Sequence, residues 1–246
     1  MDPKLTRAIE VFVQGFGFTR SFTHPYLGTK VGPLWVLRDA PRKLDKDYRN
    51  EEWSAYGTAP DEVDRIIRQH TRGRFCVCAF LPFGESDQSM REAYKAMGYR
   101  FKVGEPVMVH ALKRIPRAKS PAMIQRVRTT ELADAVTRAA GSRQILPEHL
   151  GADAPLRQYA ALIEGKVVGW VRSIVCQQGT WCSNMMVLPK YRRRGIASAL
   201  LAQLLRDDRK HGVKAAVLTA SHAGAKLYTT LGYQQIATLL LFMPKR

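Results

Sequence analysis

The segment from Val187 to Ala197 contains the residue types that bind phosphate. It reads V-L-P-K-Y-R-R-R-G-I-A, so a strand pattern ends, a basic loop turns and a helix pattern begins at a glycine. Backbone N–H groups at a helix N-terminus have no acceptor within the helix, and with the helix dipole they bind phosphate. Gly195 and Ala197 allow a pyrophosphate to approach closely, and the arginines add charge. We expect this segment to be an exposed phosphate-binding loop. Because the loop is exposed, we expect the fold to survive substitution of Gly195. The alternative is an Arg-rich turn that caps an ordinary helix.

Periodic elements surround this loop and would position it. Strand patterns precede it at Arg157–Glu164, Lys166–Cys176 and Trp181–Leu188, and the first two are joined by a hairpin signal. After the loop, apolar residues follow the spacing of one helix face, which ends before Gly212: Ala197, Leu200, Leu201, Leu204 and Leu205. The alternation of strands and helices predicts an α/β domain.

The two halves of the chain resemble each other. Residues 94–99 read Y-K-A-M-G-Y and residues 228–233 read Y-T-T-L-G-Y, and each Gly lies where a helix C-cap is expected. A helix pattern and a strand pattern precede each copy, and an apolar strand pattern follows it. A basic, proline-bearing linker, Lys113–Pro121, lies between the halves. We therefore predict two copies of one α/β unit, with domains at residues 1–118 and 123–246.

The phosphate-binding loop and a second segment together resemble the GNAT acyltransferase superfamily. The loop signature of that family, R/Q-x-x-G-x-G/A, is matched by residues 192–197. The second signature, N-x-x-A-x-x-L-Y-x-x-x-G-F, is matched by residues 221–233, where Ser221, Gly224 and Tyr233 replace the usual Asn, Ala and Phe. The resemblance covers about residues 123–246, with the motifs in the family's order. It implies tandem GNAT-like domains, each a mixed, mostly antiparallel sheet flanked by helices.

The resemblance implies a site for acetyl-CoA and a direct transfer of its acetyl group to an amine, without a metal. The strand before the loop would open at a bulge, where a main-chain N–H near Val187 or Leu188 would stabilise the acyl oxyanion. Tyr228 would be the general acid that protonates the CoA thiolate; its alternative is a core residue with a surface hydroxyl. The residues implied to bind the cofactor are Met186, Val187, Leu188, Arg192, Arg193, Arg194, Gly195, Ile196, Ala197 and Ser221.

The N-terminal half has no matching phosphate loop. Its counterpart should fall between Leu37 and Pro60, where no G-x-G/A follows an Arg or Gln and where Pro41 and mixed charges occur. We therefore interpret this half as a degenerate GNAT-like copy that has lost CoA binding. It either shapes a substrate groove or is a structural partner of the second half.

No motif identifies the general base. The titratable candidates are Glu148, His149, Glu164 and His222, and a water chain is an alternative. The sequence contains no HExxH, G-x-S-x-G or Walker motif, so it gives no support to a metalloprotease, hydrolase or NTPase. The four cysteines lack metal or redox spacing, and Cys76 and Cys78 would face the same side of a strand as packed, reduced thiols.

Charge extends the list of partners. The formal net charge of the 246 residues is +18, which favours an anionic partner such as CoA or a nucleic acid, or else a solvated basic surface. Three functions follow: acetyl transfer to a small-molecule or protein amine, an acyltransferase acting on tRNA or aminoacyl-tRNA, and a non-catalytic acyl-CoA sensor. No apolar run reaches the roughly 18 residues of a membrane span, and no signal-peptide core begins the chain, so we expect a cytoplasmic protein.

Overall fold

Two compact units make up the protein. The computed structural model describes residues 2–44 and 47–245. The first unit comprises Met1–Met108, Thr219–His222 and Gln235–Arg246, and the second comprises Val109–Leu218 and Ala223–Gln234. The units are therefore not continuous segments, because the end of the chain returns to the first unit. The predicted domain limits at the linker, by contrast, keep the end of the chain with the second half.

The helices and strands of the described residues include those predicted around the basic loop and around the two Y-x-x-x-G-Y segments. In chain order they are α1 (Pro3–Arg20), β1 (Tyr26–Val31), β2 (Leu34–Asp39), β3 (Glu51–Ala55), α2 (Pro60–His70), β4 (Phe75–Pro82), α3 (Gln88–Ala96), β5 (Tyr99–His110), β6 (Met123–Arg126), α4 (Thr130–Ala140), β7 (Leu156–Ile163), β8 (Lys166–Cys176), β9 (Gly179–Val187), α5 (Ile196–Lys210), β10 (Ala216–Thr219), α6 (His222–Thr230) and β11 (Gln234–Pro244). None of these helices is long and apolar enough to cross a membrane.

The first unit is a sheet with the strand order β1-β2-β3-β4-β11-β5. β3 and β4 are parallel, whereas β1–β2, β2–β3 and β4–β11 are antiparallel. The C-terminal strand β11 lies inside this sheet, and its Phe242 ring stacks on Tyr94 of α3 at a centroid distance of 4.3 Å. Tyr94 and Phe242 are both buried in the core of the unit. The first unit thus depends on a strand that the sequence supplies more than 120 residues after β5.

The second unit is a sheet with the strand order β10-β9-β8-β7-β6. β9 and β10 are parallel, and the other pairs are antiparallel. The leucines predicted for one face of α5 are buried, because this face packs on β7, β8 and β9. Each unit is therefore a mixed, mostly antiparallel sheet flanked by helices, which confirms the predicted fold class.

The two halves of the sequence repeat one order of elements. Residues 3–110 form a helix, three strands, a helix, a strand, a helix and a final strand, and residues 123–244 repeat this order after the additional strand β6, although their final strand β11 lies in the first unit. The predicted C-cap glycines Gly98 and Gly232 adopt left-handed backbone angles, with φ of 84° and 95°. A residue with a Cβ avoids this region, so both helices end where the sequence requires glycine.

A buried ion pair fixes α5 on the sheet of the second unit. Arg157 of β7 donates to Asp208 of α5 at 2.6 Å, and both side chains are almost fully buried. Ser173 of β8 donates to the same carboxylate at 2.8 Å, and Thr180 of β9 donates to it at 2.7 Å. One carboxylate on the helix therefore joins three neighbouring strands.

We expect Asp208→Ala to lower the free energy of unfolding by about 3–5 kcal/mol, because it leaves the Arg157 guanidinium buried without a counter-charge. Denaturant unfolding of the full chain measures this. Asp134→Ala, the same change at an exposed position of α4, should change stability by less than about 0.5 kcal/mol. Equal effects of the two substitutions would contradict a structural role for the pair.

Candidate cofactor site

β9 contains a bulge just before the basic loop. Its register with β8 shifts between the pairs Trp170–Met186 and Arg172–Ser183, so β9 has one residue more than β8 over this stretch. Within it, Asn184 adopts a φ of 52°, a left-handed angle that is uncommon for a residue other than glycine. The bulge that the family resemblance implied for this strand is therefore present.

Polar side chains outside the predicted site hold the bulge. Arg172 donates through Nε to Ser183 at 3.1 Å and through Nη1 to the Gln144 carbonyl at 3.4 Å. The Asn184 amide donates to the side chain of Gln144. Burial lowers the pKa of Arg172 to about 10. Sequence reasoning missed this cluster, because no motif links a loop residue after α4 to two adjacent strands.

The hydrogen-bond ladder shows which N–H group at the end of β9 is unused by β8. Leu188 donates its N–H to the Val168 carbonyl at 2.9 Å, so this group is occupied. Pairs in an antiparallel ladder alternate between hydrogen-bonded and non-bonded, which directs the backbone groups of Val187 away from β8. The Val187 carbonyl accordingly accepts from Arg192 Nε at 3.0 Å. Of the two N–H groups expected near the acyl carbonyl, that of Val187 is the one directed away from β8.

The loop positions the N-terminus of α5. Pro189–Tyr191 forms a single 3₁₀ turn, and Arg193 and Gly195 follow with φ of 64° and 75°. Gly195 is the N-cap and has no side chain to satisfy the first turn, whose first backbone hydrogen bond runs from Ala199 N–H to the Gly195 carbonyl at 3.0 Å. Helix geometry leaves the N–H groups before Ala199 without intrahelical acceptors. The basic loop therefore ends at a helix N-terminus, as the sequence predicts.

The three arginines of the loop have different surroundings. Arg192 is held at the end of β9 by Val187, and its Nη2 lies 3.9 Å from the Met186 sulfur. The Arg194 guanidinium lies 5.8 Å from the centroid of the Tyr191 ring. Arg193 lines a cavity beside the loop. The three arginine side chains thus have different contacts and do not act as one charged cluster.

A cavity of about 760 Å³ lies between the end of β9, the start of α5 and α6. Its lining consists of Met185, Met186, Val187, Tyr191, Arg192, Arg193, Gly195, Ile196, Ala197, Ser198, Ala223, Gly224, Lys226, Leu227 and Thr230. Most of the predicted cofactor residues are therefore brought together around one space. Among the described residues, Leu188, Arg194 and Ser221 are predicted cofactor residues outside this lining, and Ser221 belongs to a segment of the first unit.

Tyr228 lies beside the cavity but is not part of its described lining. It is 9% exposed, and its ring packs edge-on against Tyr233 at a centroid distance of 5.6 Å. Burial raises the pKa of Tyr228 above its ordinary value, and the nearby Cys182 adds to this shift. Gly224, one helical turn before Tyr228, does line the cavity. The phenol is therefore held protonated at its edge.

The four candidate bases do not meet at the cavity. Glu148 is exposed, and His149, in the same 3₁₀ turn, is buried, which lowers its pKa. Glu164 has a φ of 48° in the turn between β7 and β8. His222 begins α6 and is exposed. In the part of the chain that the structure describes, none of the four contributes to the cavity lining.

The counterpart loop in the first unit differs in chemistry. It joins β3 to α2 over residues 56–59, at the end of the interval predicted from the sequence. Pro60 occupies the first helical position and has no N–H, and Asp61 and Glu62 follow in the first turn. Carboxylates at this position interact favourably with the helix dipole but repel phosphate. This helix end is unsuited to bind a pyrophosphate.

Gly195 is more constrained than an exposed loop residue. A Cβ at this position would lie 2.3 Å from the Lys119 carbonyl oxygen, because the linker passes against the loop. The linker also accepts hydrogen bonds from α5, from Arg206 to Pro116 at 3.1 Å and from Arg209 to Lys113 at 3.4 Å. That the fold survives substitution of Gly195 stays a prediction, but a side chain at this position requires the loop or the linker to shift.

We expect Gly195→Ala to destabilise the protein by more than Gly141→Ala and to disturb the start of α5. Gly141 has a similar φ of 68° but open space around a Cβ, so its substitution reports only the left-handed penalty of about 1–2 kcal/mol. Denaturant unfolding of both variants isolates the contribution of the Lys119 contact. Equal decreases in the free energy of unfolding for the two variants would show that the linker moves aside without destabilising the protein.

The chain resembles known proteins both in sequence and in fold. Residues 155–235 match the family model described as an acetyltransferase (GNAT) domain. No curated protein matches the sequence closely enough to count as a relative. The matched segment contains β8, β9 and α5, and thus the bulge, the loop and the cavity described above.

Solved structures with a similar fold include GNAT proteins. A GCN5-related N-acetyltransferase from Kribbella flavida is 18% identical, with 98% of this chain and 96% of that chain covered and a TM-score of 0.69. A GNAT-family acetyltransferase structure from Novosphingobium aromaticivorans is 16% identical, with coverages of 97% and 99% and a TM-score of 0.55. A tandem GNAT protein from the clavulanic acid biosynthesis pathway is 13% identical, with coverages of 87% and 80% and a TM-score of 0.56. At these identities the likeness shows the fold alone, and the family model shows that residues 155–235 are similar to a GNAT acetyltransferase domain.

Proposed function

We propose that the protein is an N-acetyltransferase that uses acetyl-CoA, bound in the second unit, to acetylate an amine on a small molecule or a protein. The observation that carries this proposal is the continuous cavity at the opened end of β9. It combines a helix N-terminus, which suits a pyrophosphate, with the outward-facing backbone of Val187, which suits an acyl group. The proposed location of the protein is the cytoplasm. A screen of amines would identify the acceptor.

The lining of this cavity suits the chemical parts of CoA. At the start of α5, N–H groups and Arg193 supply donors and positive charge for phosphates, and Lys226 of α6 adds a second cation. Met185, Met186 and Val187 supply an apolar wall for the pantetheine arm. A volume of about 760 Å³ is within the range of small-molecule and cofactor sites.

The chain would contribute two groups to the transfer step. The Val187 N–H would donate to the acyl oxygen as it gains negative charge during attack by the amine. Tyr228, kept protonated by its raised pKa, would give its proton to the leaving sulfur. The C–S bond breaks as the C–N bond forms, and the proton lost by the amine passes to a base or to water.

A non-catalytic acyl-CoA sensor is the second candidate. It is favoured by the positions of the titratable groups, because among the described residues Tyr228 and the four candidate bases lie outside the cavity lining. A sensor needs the phosphate loop and the apolar wall but no acid or base. The two functions make different predictions for turnover, whereas both require binding.

Acetyl-CoA should stabilise the full chain. At about 100 times its dissociation constant, a ligand that binds only the folded state contributes roughly 2.7 kcal/mol. Arg193→Ala should weaken this effect, because it removes a cation from the cavity, and Arg138→Ala, an exposed arginine of α4, should not. Thermal unfolding at increasing acetyl-CoA concentration measures both. An unchanged melting temperature at millimolar acetyl-CoA would remove the cofactor assignment.

Tyr228→Phe should lower kcat by about 10²–10⁴-fold, the usual worth of a positioned acid. The affinity for acetyl-CoA should change little, since the proton is needed only in the transition state. Tyr233→Phe is the matched control, because it removes a buried neighbouring hydroxyl that has no hydrogen-bond partner among the described residues.

Steady-state kinetics with amines, protein amines and tRNA as acceptors test this assignment. Full activity of Tyr228→Phe would make Tyr228 a core residue. Tight acetyl-CoA binding with no turnover on any acceptor would favour the sensor instead.

A further inference from the structure

Arg172 of β8 is a partly buried cation whose hydrogen bonds all go to neutral groups. Its Nε donates to the Ser183 hydroxyl at 3.1 Å, and its Nη1 donates to the Gln144 carbonyl at 3.4 Å. Burial lowers the pKa of Arg172, and no carboxylate among the described residues opposes this shift. Arg157, a fully buried arginine of the same sheet, is by contrast paired with Asp208 at 2.6 Å. A charge withdrawn from water without an opposite charge is unfavourable, so an anionic ligand would stabilise the Arg172 guanidinium.

The Arg172 guanidinium keeps donors that a ligand can reach. An arginine carries five N–H donors, and the contacts with Ser183 and Gln144 use one on Nε and one on Nη1. Nη2 has no acceptor among the described residues, yet it is not one of the unpaired polar atoms that are fully buried. Since the residue is also partly exposed, Nη2 is in contact with solvent. The free N–H groups of Nη1 and Nη2 form a planar fork that matches the two oxygens of a carboxylate.

The register of the sheet places Arg172 on the same face as one wall of the cofactor cavity. Side chains alternate along a strand, so Arg172 and Trp170 face one side, while Ser173, which contacts Asp208 of α5, faces the other. Met186 pairs with Trp170 and lines the cavity. Two residues along a strand span about 7 Å. The guanidinium therefore lies beside β9, about two residues before the cavity wall.

Gln144, in the loop after α4, connects Arg172 to the bulge of β9. The side-chain oxygen of Gln144 accepts from the Asn184 amide, and its Nε2 donates to the carbonyl of Ser142 at 3.0 Å and to the hydroxyl of Ser142 at 2.9 Å. Gln144 is buried, whereas Asn184 is exposed. The positive charge is therefore fixed beside the bulge without a ligand, and such preorganisation lowers the entropic cost of binding.

We propose that Arg172 binds a carboxylate of the acetyl acceptor, so that the preferred acceptor is an amino acid whose amine and carboxylate are separated by a short carbon chain. The carboxylate would accept from Nη1 and Nη2, and the chain would span the roughly 7 Å along β9 to the proposed acyl position at Val187. This proposal rests on the proposed acetyl transfer, because it names the acceptor of that reaction.

The carboxylate takes no part in the transfer step itself. The amine nitrogen forms the new C–N bond as the C–S bond breaks, the sulfur leaves with the electron pair and takes a proton from Tyr228, and the amine proton passes to a base or to water. Arg172 would therefore determine which amines bind productively rather than how fast the bonds change. Its substitution should act mainly on KM for the acceptor.

Isothermal titration calorimetry on the full chain in the presence of CoA, which has no acetyl group to transfer, tests the binding. We expect 5-aminopentanoate to bind more tightly than 5-aminopentanamide, which has the same shape without the negative charge. Arg172→Gln should weaken 5-aminopentanoate by about 10- to 100-fold and leave the amide unchanged. Arg172→Lys, which keeps the charge but loses the fork, should lie between the two.

Arg209→Gln is the matched control, because it removes the same charge from an exposed residue of α5, on the opposite face of the sheet. It should leave the affinity for 5-aminopentanoate unchanged. In acetyl transfer, kcat/KM should be higher for 5-aminopentanoate than for the amide, and Arg172→Gln should remove this preference. If Arg172→Gln fails to fold, Arg172→Lys replaces it and should weaken 5-aminopentanoate in the same direction.

Equal affinity for the acid and the amide, or equal affinity of Arg172→Gln and the wild type for the acid, would overturn the proposal. Binding of the acid without preferential acetylation of it would overturn the role of Arg172 in selecting the acceptor. Stabilisation by acetyl-CoA should be the same in Arg172→Gln and the wild type. Loss of the proposed function would instead appear as no stabilisation by acetyl-CoA, so the two failures are distinguishable.

Discussion

The buried contact between Arg157 and Asp208 is the interaction on which the second unit most depends. One carboxylate near the end of α5 accepts from β7, β8 and β9 together, so the helix cannot slide along the sheet without breaking several hydrogen bonds. The other end of the same helix supplies the N–H groups that we propose bind phosphate. A contact at one end of α5 thus fixes the direction in which its N-terminus points, although no residue of the contact approaches the cavity.

The cavity that we propose holds the cofactor forms where β9 departs from regular strand geometry near its end. The bulge at Asn184 shifts the register, and after it Leu188 still pairs with β8 while the backbone of Val187 faces the other way. The Arg192 side chain donates to the Val187 carbonyl, so the Val187 N–H remains as a donor for a ligand. The end of β9, the loop and the linker that passes against Gly195 are therefore structurally coupled.

Local patterns predicted much of this structure, and long-range packing accounts for what they missed. Periodicity and turn chemistry reveal features that depend on residues close together in the sequence. These features are the apolar face of α5, the hairpin of β7 and β8, the C-cap glycines and the basic loop before α5. The place of β11 in the first unit could not be predicted, because an apolar strand pattern does not specify its partner. The same holds for the contact of Gly195 with Lys119 and for the position of Tyr228 outside the cavity lining, each of which depends on distant segments.

Two helices at equivalent places in the two halves differ at their N-termini. Both α2 and α5 follow a strand and begin without a side-chain cap. In α2, Pro60 removes one N–H, and Asp61 and Glu62 supply negative charge that stabilises a helix N-terminus by about 0.3–1 kcal/mol. The first turn of α5 has no acidic residue, so its positive end is left for an external anion. The first unit therefore satisfies its helix N-terminus with its own residues, whereas the second unit leaves this end of the helix open, which is why we propose the anion site in the second unit and not in the first.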